Sequence, residues 1–283
     1  QFLGIFRLQV HGHNSIILFQ CLVFFANCVY TTFCPVNNSH LRPLPPIALA
    51  APSQLMQYVG HAPFQSESPN MSIIAIDVDP QRTFSPLCPN ELPVVEGDQI
   101  VDELNLQAAL AAKRVLTKDA HNPHAAWVVA SHEQIGTPIG LPNSDIGWVR
   151  HAEVGTDGFK ALPGLPEPEQ YDFLVYKGVE NNMHPYGACY HDLGNTISTG
   201  LLEWLTVNGA EHVLVGGLAT DYCVKNTVLQ LCAYNPNWTV WLNLAACRGI
   251  AAETVTSALA EMRAAGAKIV DNSHALREQL ALG

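Results

Sequence analysis

Basic residues are scarce in this chain. Its 283 residues hold 14 Lys and Arg against 25 Asp and Glu, a formal net charge of −11. Nucleic acid and anionic membrane surfaces reward clustered Lys and Arg, so the shortage argues against both as partners. Charge of either sign is sparse too, 14% of residues, whereas 48% are hydrophobic. A chain of this length and apolarity can bury a large core, as one sizeable α/β domain or two small ones. The eight cysteines (Cys21, Cys28, Cys34, Cys88, Cys189, Cys223, Cys232 and Cys247) form no CxxC pair. That argues against a zinc knuckle or a thioredoxin-type motif, and the spread is too thin for a disulfide scaffold. The later five read as reduced thiols of a cytoplasmic protein. No internal repeat is present.

The first seventy residues also lack what a folded enzyme domain shows. They carry almost no acidic side chains and neither a helical nor an alternating period. Ser15 to Cys34 is a mostly apolar run of roughly bilayer-spanning length, followed by Pro-, Ser- and Gln-rich sequence to Asn70. Three readings compete: a membrane anchor, a secretory signal with Ala48-Leu49-Ala50 as its cleavage site, or a segment outside the working protein. Met71 directly precedes the first convincing strand, which favours the third. The expected division is residues 1–70 as an unstructured or non-native extension and 71–283 as the working domain, with no membrane partner unless 15–34 is an anchor.

From Ser72 onward strands and helices alternate. Continuous apolar runs predict strands over 72–78, 114–117, 171–176, 213–216, 239–244 and 268–270, and helical spacing predicts helices over 98–113, 195–207, 221–234 and 251–265. This pattern means a three-layer α/β/α architecture with a central parallel sheet of about six strands. A long irregular stretch, 118–169, rich in Pro, Gly and His, interrupts it, and loops of that length are usually functional.

Chemistry-bearing residues fall at the carboxyl ends of the expected strands, where such sheets bind ligands. Asp79 follows the first strand and can accept a proton, although alone it reads more readily as a turn cap before Pro80; Asp77 is its rival, two residues earlier. Asp119 and His121 follow the second as an Asp-x-His pair able to offer a divalent metal one carboxylate and one imidazole, with His124, His132, Glu133 and His151 downstream to complete an open site. Lys177 follows the third, where a cation could hold a neighbouring thiolate and carboxylate charged. Cys223 follows the fourth, in Gly216-Gly217-Leu218-Ala219-Thr220-Asp221-Tyr222-Cys223, a glycine-bearing turn that enters a helical pattern. Helix N–H groups and Lys177 there would favour its thiolate. Each signal alone has a bland alternative, but all four share one sheet edge.

Five segments occur in one order: Asp79-Pro-Gln-Arg-Thr-Phe84, Thr117-Lys-Asp-Ala-His121, Trp148-Val-Arg-His151, Tyr176-Lys-Gly178 and Gly217-Leu-Ala-Thr-Asp-Tyr-Cys-Val224. They resemble the nicotinamidases (pyrazinamidases) of the isochorismatase-like cysteine hydrolases, over about Ser72 to Leu276. The resemblance implies a Rossmann-like α/β hydrolase that converts nicotinamide to nicotinate and ammonia in NAD salvage. It implies Cys223 as nucleophile, Asp79 as proton carrier and Lys177 as the third member. It further implies an oxyanion hole from the N–H groups of Ala219 and Cys223, with a cis peptide at Leu218–Ala219. Asp119, His121 and His151 would hold a divalent ion, Zn²⁺ foremost with Fe²⁺ or Mn²⁺ as alternatives, that orients the pyridine ring. Phe84 and Trp148 would sandwich that ring, with help from Tyr186, and a homo-oligomer is compatible with the pattern. One position departs from the family. Where a further His ligand is expected, the chain has Trp127, leaving His124, His132, Glu133 or water as the fourth ligand. The alternatives are another amidohydrolase acting on a carbamoyl or ureido substrate, and a non-enzymatic metal-binding α/β protein.

Overall fold

The computed structural model describes the backbone of residues 5–9, 17–25 and 28–36, and residues 72–281 in full. The chain divides into two compact units, Gln1–Ser66 and Glu67–Gly283. In the first, β1 (Ile5–Gln9), β2 (Ile17–Phe25) and β3 (Cys28–Val36) form an antiparallel sheet in that order. The apolar run 15–34 is thus shared between β2 and β3. No helix among the described residues is long and apolar enough to cross a membrane. Ala48-Leu49-Ala50 lies outside the described residues.

The second unit is built on six strands: β4 (Ile73–Val78), β5 (Lys113–Asp119), β8 (Phe173–Lys177), β9 (His212–Leu218), β10 (Thr239–Arg248) and β11 (Lys268–Val270). They pair in the order β11-β10-β9-β4-β5-β8, every pair parallel. Alternate residues serve opposite faces, as strand geometry requires. Ile74, Ile76, Val213, Val215, Val240 and Leu242 meet the apolar sides of α2 (Leu201–Val207), α3 (Lys225–Tyr234) and α4 (Ala252–Ala264). Ile73, Ala75, Leu214 and Trp241 pack on the other side with α5 (Ser273–Gln279) and the end of α1 (Val101–Ala108). The result is the three-layer α/β/α fold expected from the sequence. Chain order reverses direction between β4 and β9, and the crevice at that reversal is where open α/β sheets bind ligands.

Gly217 makes the reversal possible. Its φ is +139°, and a Cβ there would sit 1.9 Å from the Val78 carbonyl oxygen, so β9 could not approach the end of β4 with any side chain at this position.

Several element boundaries differ from the sequence reading. The helix expected over 98–113 is a short 3₁₀ turn, Gly97–Ile100, followed by α1 alone, and β5 starts early enough to run through Asp119. The helix expected from 195 starts at Leu201. The Asp192 carboxylate accepts the N–H groups of Thr196 (2.9 Å) and Ile197 (2.8 Å), holding 192–197 in a loop, and Gly200 turns the chain at φ +89°. The irregular stretch contains a small hairpin, β6 (Pro138–Leu141) with β7 (Ser144–Ile146), and α5 closes the described domain; neither is legible as a periodic pattern.

Candidate active site

Four adjoining strands, β9, β4, β5 and β8, deliver the expected residues to one place. Asp79 follows β4 in a left-handed conformation at φ 44°, and Asp119 and Lys177 are the last residues of β5 and β8, paired across the ladder. Cys223 follows β9 after a cis peptide at Leu218–Ala219, the expected position. It does not start an α-helix. It lies in a π-helical turn, Thr220–Val224, closed by the Val224 N–H on the Ala219 carbonyl (3.2 Å), and α3 begins only at Lys225. Such turns are frequent at functional sites.

The Lys177 side chain is fully buried and joins the group. Its Nζ lies 3.0 Å from Asp79 Oδ2, donates to Asp119 Oδ1, and lies 3.6 Å from Cys223 Sγ; the Pro185 carbonyl accepts at 3.3 Å. One oxygen each of Asp79 and Asp119 and the Cys223 sulfur lie within 4.8 Å of one another. Burial works against the Lys177 charge, but the carboxylates of Asp119 and Asp79 overcome it and hold the amine protonated. Burial raises Asp119 as well, yet Lys177 and His121 outweigh it and keep this carboxylate well below the usual range. Asp79 is pushed up by burial, against the pull of Lys177. It is the more readily protonated of the two.

The thiol departs from the sequence reading, which expected a thiolate. Burial pushes Cys223 well above an ordinary thiol; Lys177 opposes this, but Asp79 and Asp119 add to it. An isolated lysine beside a cysteine lowers its pKa. Here the same lysine is shared with two carboxylates, which oppose its field at the sulfur, so Cys223 needs an acceptor for its proton when it reacts.

A second cluster adjoins the first. His121 Nδ1 donates to the Gly178 carbonyl (3.0 Å) and His151 Nδ1 to the Val149 carbonyl (2.8 Å). Each bond fixes the tautomer that leaves Nε2 as a lone pair, the arrangement typical of metal-ligating histidines. His121 Nε2 is buried and has no hydrogen-bond partner. A third ring joins them: His184 Nε2 lies 3.5 Å from His151 Nε2, and one nitrogen from each of His121, His151 and His184 falls within 4.8 Å of the others. Burial first, then the neighbouring rings, lower His151 to about 3 and hold His184 well below its ordinary value, so both are neutral donors. Asp119 Oδ2 lies 3.6 Å from His121 Nε2. Three imidazoles and a carboxylate, all buried, fit a divalent transition ion.

His184 was not among the residues the sequence singled out. The candidates for that role, His124, His132 and Glu133, are exposed and lie outside the cluster. Trp127 is buried against it instead, edge-on to His121 (4.6 Å between ring centres) and His184 (4.5 Å), with Nε1 donating to the Met183 carbonyl (3.1 Å). The only sequence signal for His184 is its place in the loop that follows Lys177.

Both clusters open into one pocket lined by Phe84, Trp148, His184, Tyr186, Tyr222 and Cys223, with Leu92, Val94, Ala219 and Ile250 at its sides. Phe84 and Trp148, the expected ring contacts, are both there. Tyr186 is there as well, its hydroxyl donating to Asp145 Oδ1 at 2.7 Å. An apolar pocket lined by aromatic side chains, a thiol and imidazoles suits an aromatic ligand.

The Gly178 position tests the histidine cluster. Its φ is +69°, and a Cβ would lie 2.5 Å from His121 Cε1. Gly178→Ala is expected to tilt His121 off its carbonyl and lower metal affinity by about 10- to 100-fold, the usual cost of losing a ligand's outer partner. Metal content after dialysis against graded chelator reads this directly, and wild-type retention would remove His121 from the ligand set.

Known proteins share this chain's sequence pattern and fold. Residues 79–273 match the isochorismatase domain. The nicotinamidase of Escherichia coli is 31% identical over 188 residues, 63% of this chain and 85% of that protein. Among solved structures, a nicotinamidase pyrazinamidase of Acinetobacter baumanii is 27% identical with a TM-score of 0.63, covering 74% of this chain and 100% of its own. The pyrazinamidase of Pyrococcus horikoshii, in complex with zinc, is 28% identical with a TM-score of 0.55, covering 71% and 99%.

Proposed function

Because this chain belongs to the isochorismatase domain family, we propose that it is a nicotinamidase, an amidohydrolase that converts nicotinamide to nicotinate and ammonia in NAD salvage. The observation that carries the mechanism is the Lys177 ammonium shared by Asp79, Asp119 and Cys223, the last two of which line an apolar pocket.

Cys223 Sγ attacks the amide carbon as its proton passes to Asp79, the carboxylate already raised toward proton uptake. Lys177 keeps its charge throughout, stabilising the sulfur as its proton leaves and the Asp79 carboxylate once it has given the proton up. The N–H groups of Ala219 and Cys223, brought to the pocket by the cis peptide and the π turn, receive the oxyanion; donors of this kind contribute roughly 3–4 kcal/mol each. Asp79 returns the proton to the leaving nitrogen as the C–N bond breaks, ammonia departs, and a thioester remains on Cys223. Water then adds to the thioester while Asp79 takes its proton. The C–S bond breaks, the proton goes back from Asp79 to sulfur, and the nicotinic acid formed loses its remaining proton to solvent and leaves as nicotinate. Phe84 and Trp148 hold the ring between them.

Asp119, His121, His151 and His184 are the residues that would hold the metal, Zn²⁺ by their chemistry. When bound, the ion supplies a Lewis-acid anchor for the ring nitrogen. The site is assembled from residues between Asp79 and Ile250, which supports residues 71–283 as the hydrolase domain. The five described cysteines are free, which suits a reducing cytoplasm.

Ammonia release from nicotinamide, with and without a chelator, tests this reading. Turnover is expected with metal and is expected to fall at least about tenfold on chelation, then return with Zn²⁺. Turnover indifferent to chelation would favour a carbamoyl or ureido amidohydrolase, and absence of turnover with metal bound would favour a binding protein.

A further inference from the structure

Thr117 stands on β5 two residues before Asp119, on the same face of the strand, and is fully buried. Its hydroxyl meets Asp79 twice. The Asp79 N–H points at Thr117 Oγ1 and at the Thr117 carbonyl, both at 3.1 Å, and the hydroxyl lies 2.6 Å from Asp79 Oδ1. A hydroxyl has one proton and two lone pairs. A lone pair takes the amide N–H, so the proton goes to Oδ1. That bond commits Oδ1 to β5 and leaves Oδ2, 3.0 Å from Lys177 Nζ, as the oxygen on the side of the sulfur's cation. Asp79 needs such a tie. Its backbone is left-handed, a conformation rare for residues with a side chain, so no regular ladder dictates where its carboxylate points.

We propose that Thr117 is a positioning residue for the proton relay: its hydroxyl selects Asp79 Oδ2 as the oxygen that exchanges a proton with Cys223. The proposal rests on the reading of Asp79 as proton carrier. No bond to substrate is involved, so substrate binding should not register the loss of the hydroxyl, whereas both proton transfers should.

Three variants of the metal-loaded full chain test it: Thr117→Val, which keeps the shape and removes the hydroxyl, Thr117→Ser, which keeps the hydroxyl, and Asp79→Asn. Thr117→Val is expected to lower kcat about 10- to 100-fold with KM within about threefold, part of the factor a positioned acid–base group supplies. Metal content and melting temperature should stay near wild type. Thr117→Ser is expected to recover kcat to within about threefold of wild type, since the hydroxyl is what the relay needs. If Thr117→Val keeps its kcat within about twofold while Asp79→Asn is inactive, the positioning role is overturned and the relay stands. If Asp79→Asn itself turns over normally, the relay fails and the role of Thr117 with it. Loss of metal or of thermal stability in Thr117→Val, or failure of Thr117→Ser to recover, assigns Thr117 to packing and overturns the proposal.

Discussion

Cys223→Ala should abolish ammonia release from nicotinamide, a loss on the order of 10⁴-fold or more, because nothing else in the pocket can carry the acyl group. The thiol is 7% exposed, at the pocket floor, with Lys177 Nζ 3.6 Å away. Other buried thiols are no substitute. Cys189 and Cys247 are each in the apolar core, where burial raises Cys247 to about 12 and Cys189 further, and neither lines the pocket. Removing one sulfur leaves the histidine cluster and the sheet untouched, so metal content and the far-UV spectrum should match wild type. Rapid acid quench followed by intact-mass measurement should find an acyl adduct on the wild-type chain and none on the variant. Turnover within about tenfold of wild type would end the thioester mechanism, since general acid–base work by the remaining groups could not make up the difference.

Lys177→Met should cost both activity and stability, and its stability effect should depend on pH in a stated direction. Methionine fills much of the volume of the lysine stem but leaves two buried carboxylates, Asp79 and Asp119, with no cation between them. Removing one partner from a buried ionic group typically costs about 3–5 kcal/mol. In the variant, burial and the neighbouring Asp119 act on Asp79 with only the Thr117 hydrogen bond against them, so its folded-state pKa rises further above the unfolded value near 3.9, while Asp119 keeps His121 beside it. A carboxylic acid raised on folding takes up protons in the native state, and its stabilising contribution is present at low pH and lost as pH rises through the raised value. The melting-temperature deficit of Lys177→Met should therefore be largest at pH 8 and shrink toward pH 5. A variant that melts with wild type at every pH would show that Lys177 is not the counter-ion of the site.

The strand-end residues were legible because a parallel sheet brings the carboxyl ends of its strands to one edge whatever the loops do. Asp79, Asp119, Lys177 and Cys223 needed only that rule. His184 did not follow from it. The loop carrying it has no regular structure, and its course is set by long-range bonds: the His184 N–H donates to the Asn143 carbonyl at 2.7 Å, in the turn of the β6–β7 hairpin. A tie between two irregular segments leaves no period to read. His124, His132 and Glu133 misled for a related reason: nearness in the chain to Asp119 and His121 does not say whether a side chain enters the cluster. The upward push on the Cys223 thiol was not legible either, because a lysine expected at the same sheet edge says nothing of how many acids share it or how deeply the sulfur is buried. The helix expected from 195 was cut short by one side chain, Asp192, competing for the amides that a helix would have used.

The order of the strands carries a consequence for biogenesis. β4 is bordered by β5, which follows it closely in the chain, and by β9, which starts only at His212. A growing polypeptide can join β4, β5 and β8 early and bring Asp79, Asp119 and Lys177 together, but one edge of β4 stays open until β9 leaves the ribosome. Contacts of such wide sequence separation slow folding. The nucleophile thus arrives after its three partners, in the turn that follows β9, so the site becomes complete only with the strand that covers the open edge of β4, before β10 and β11 extend the sheet.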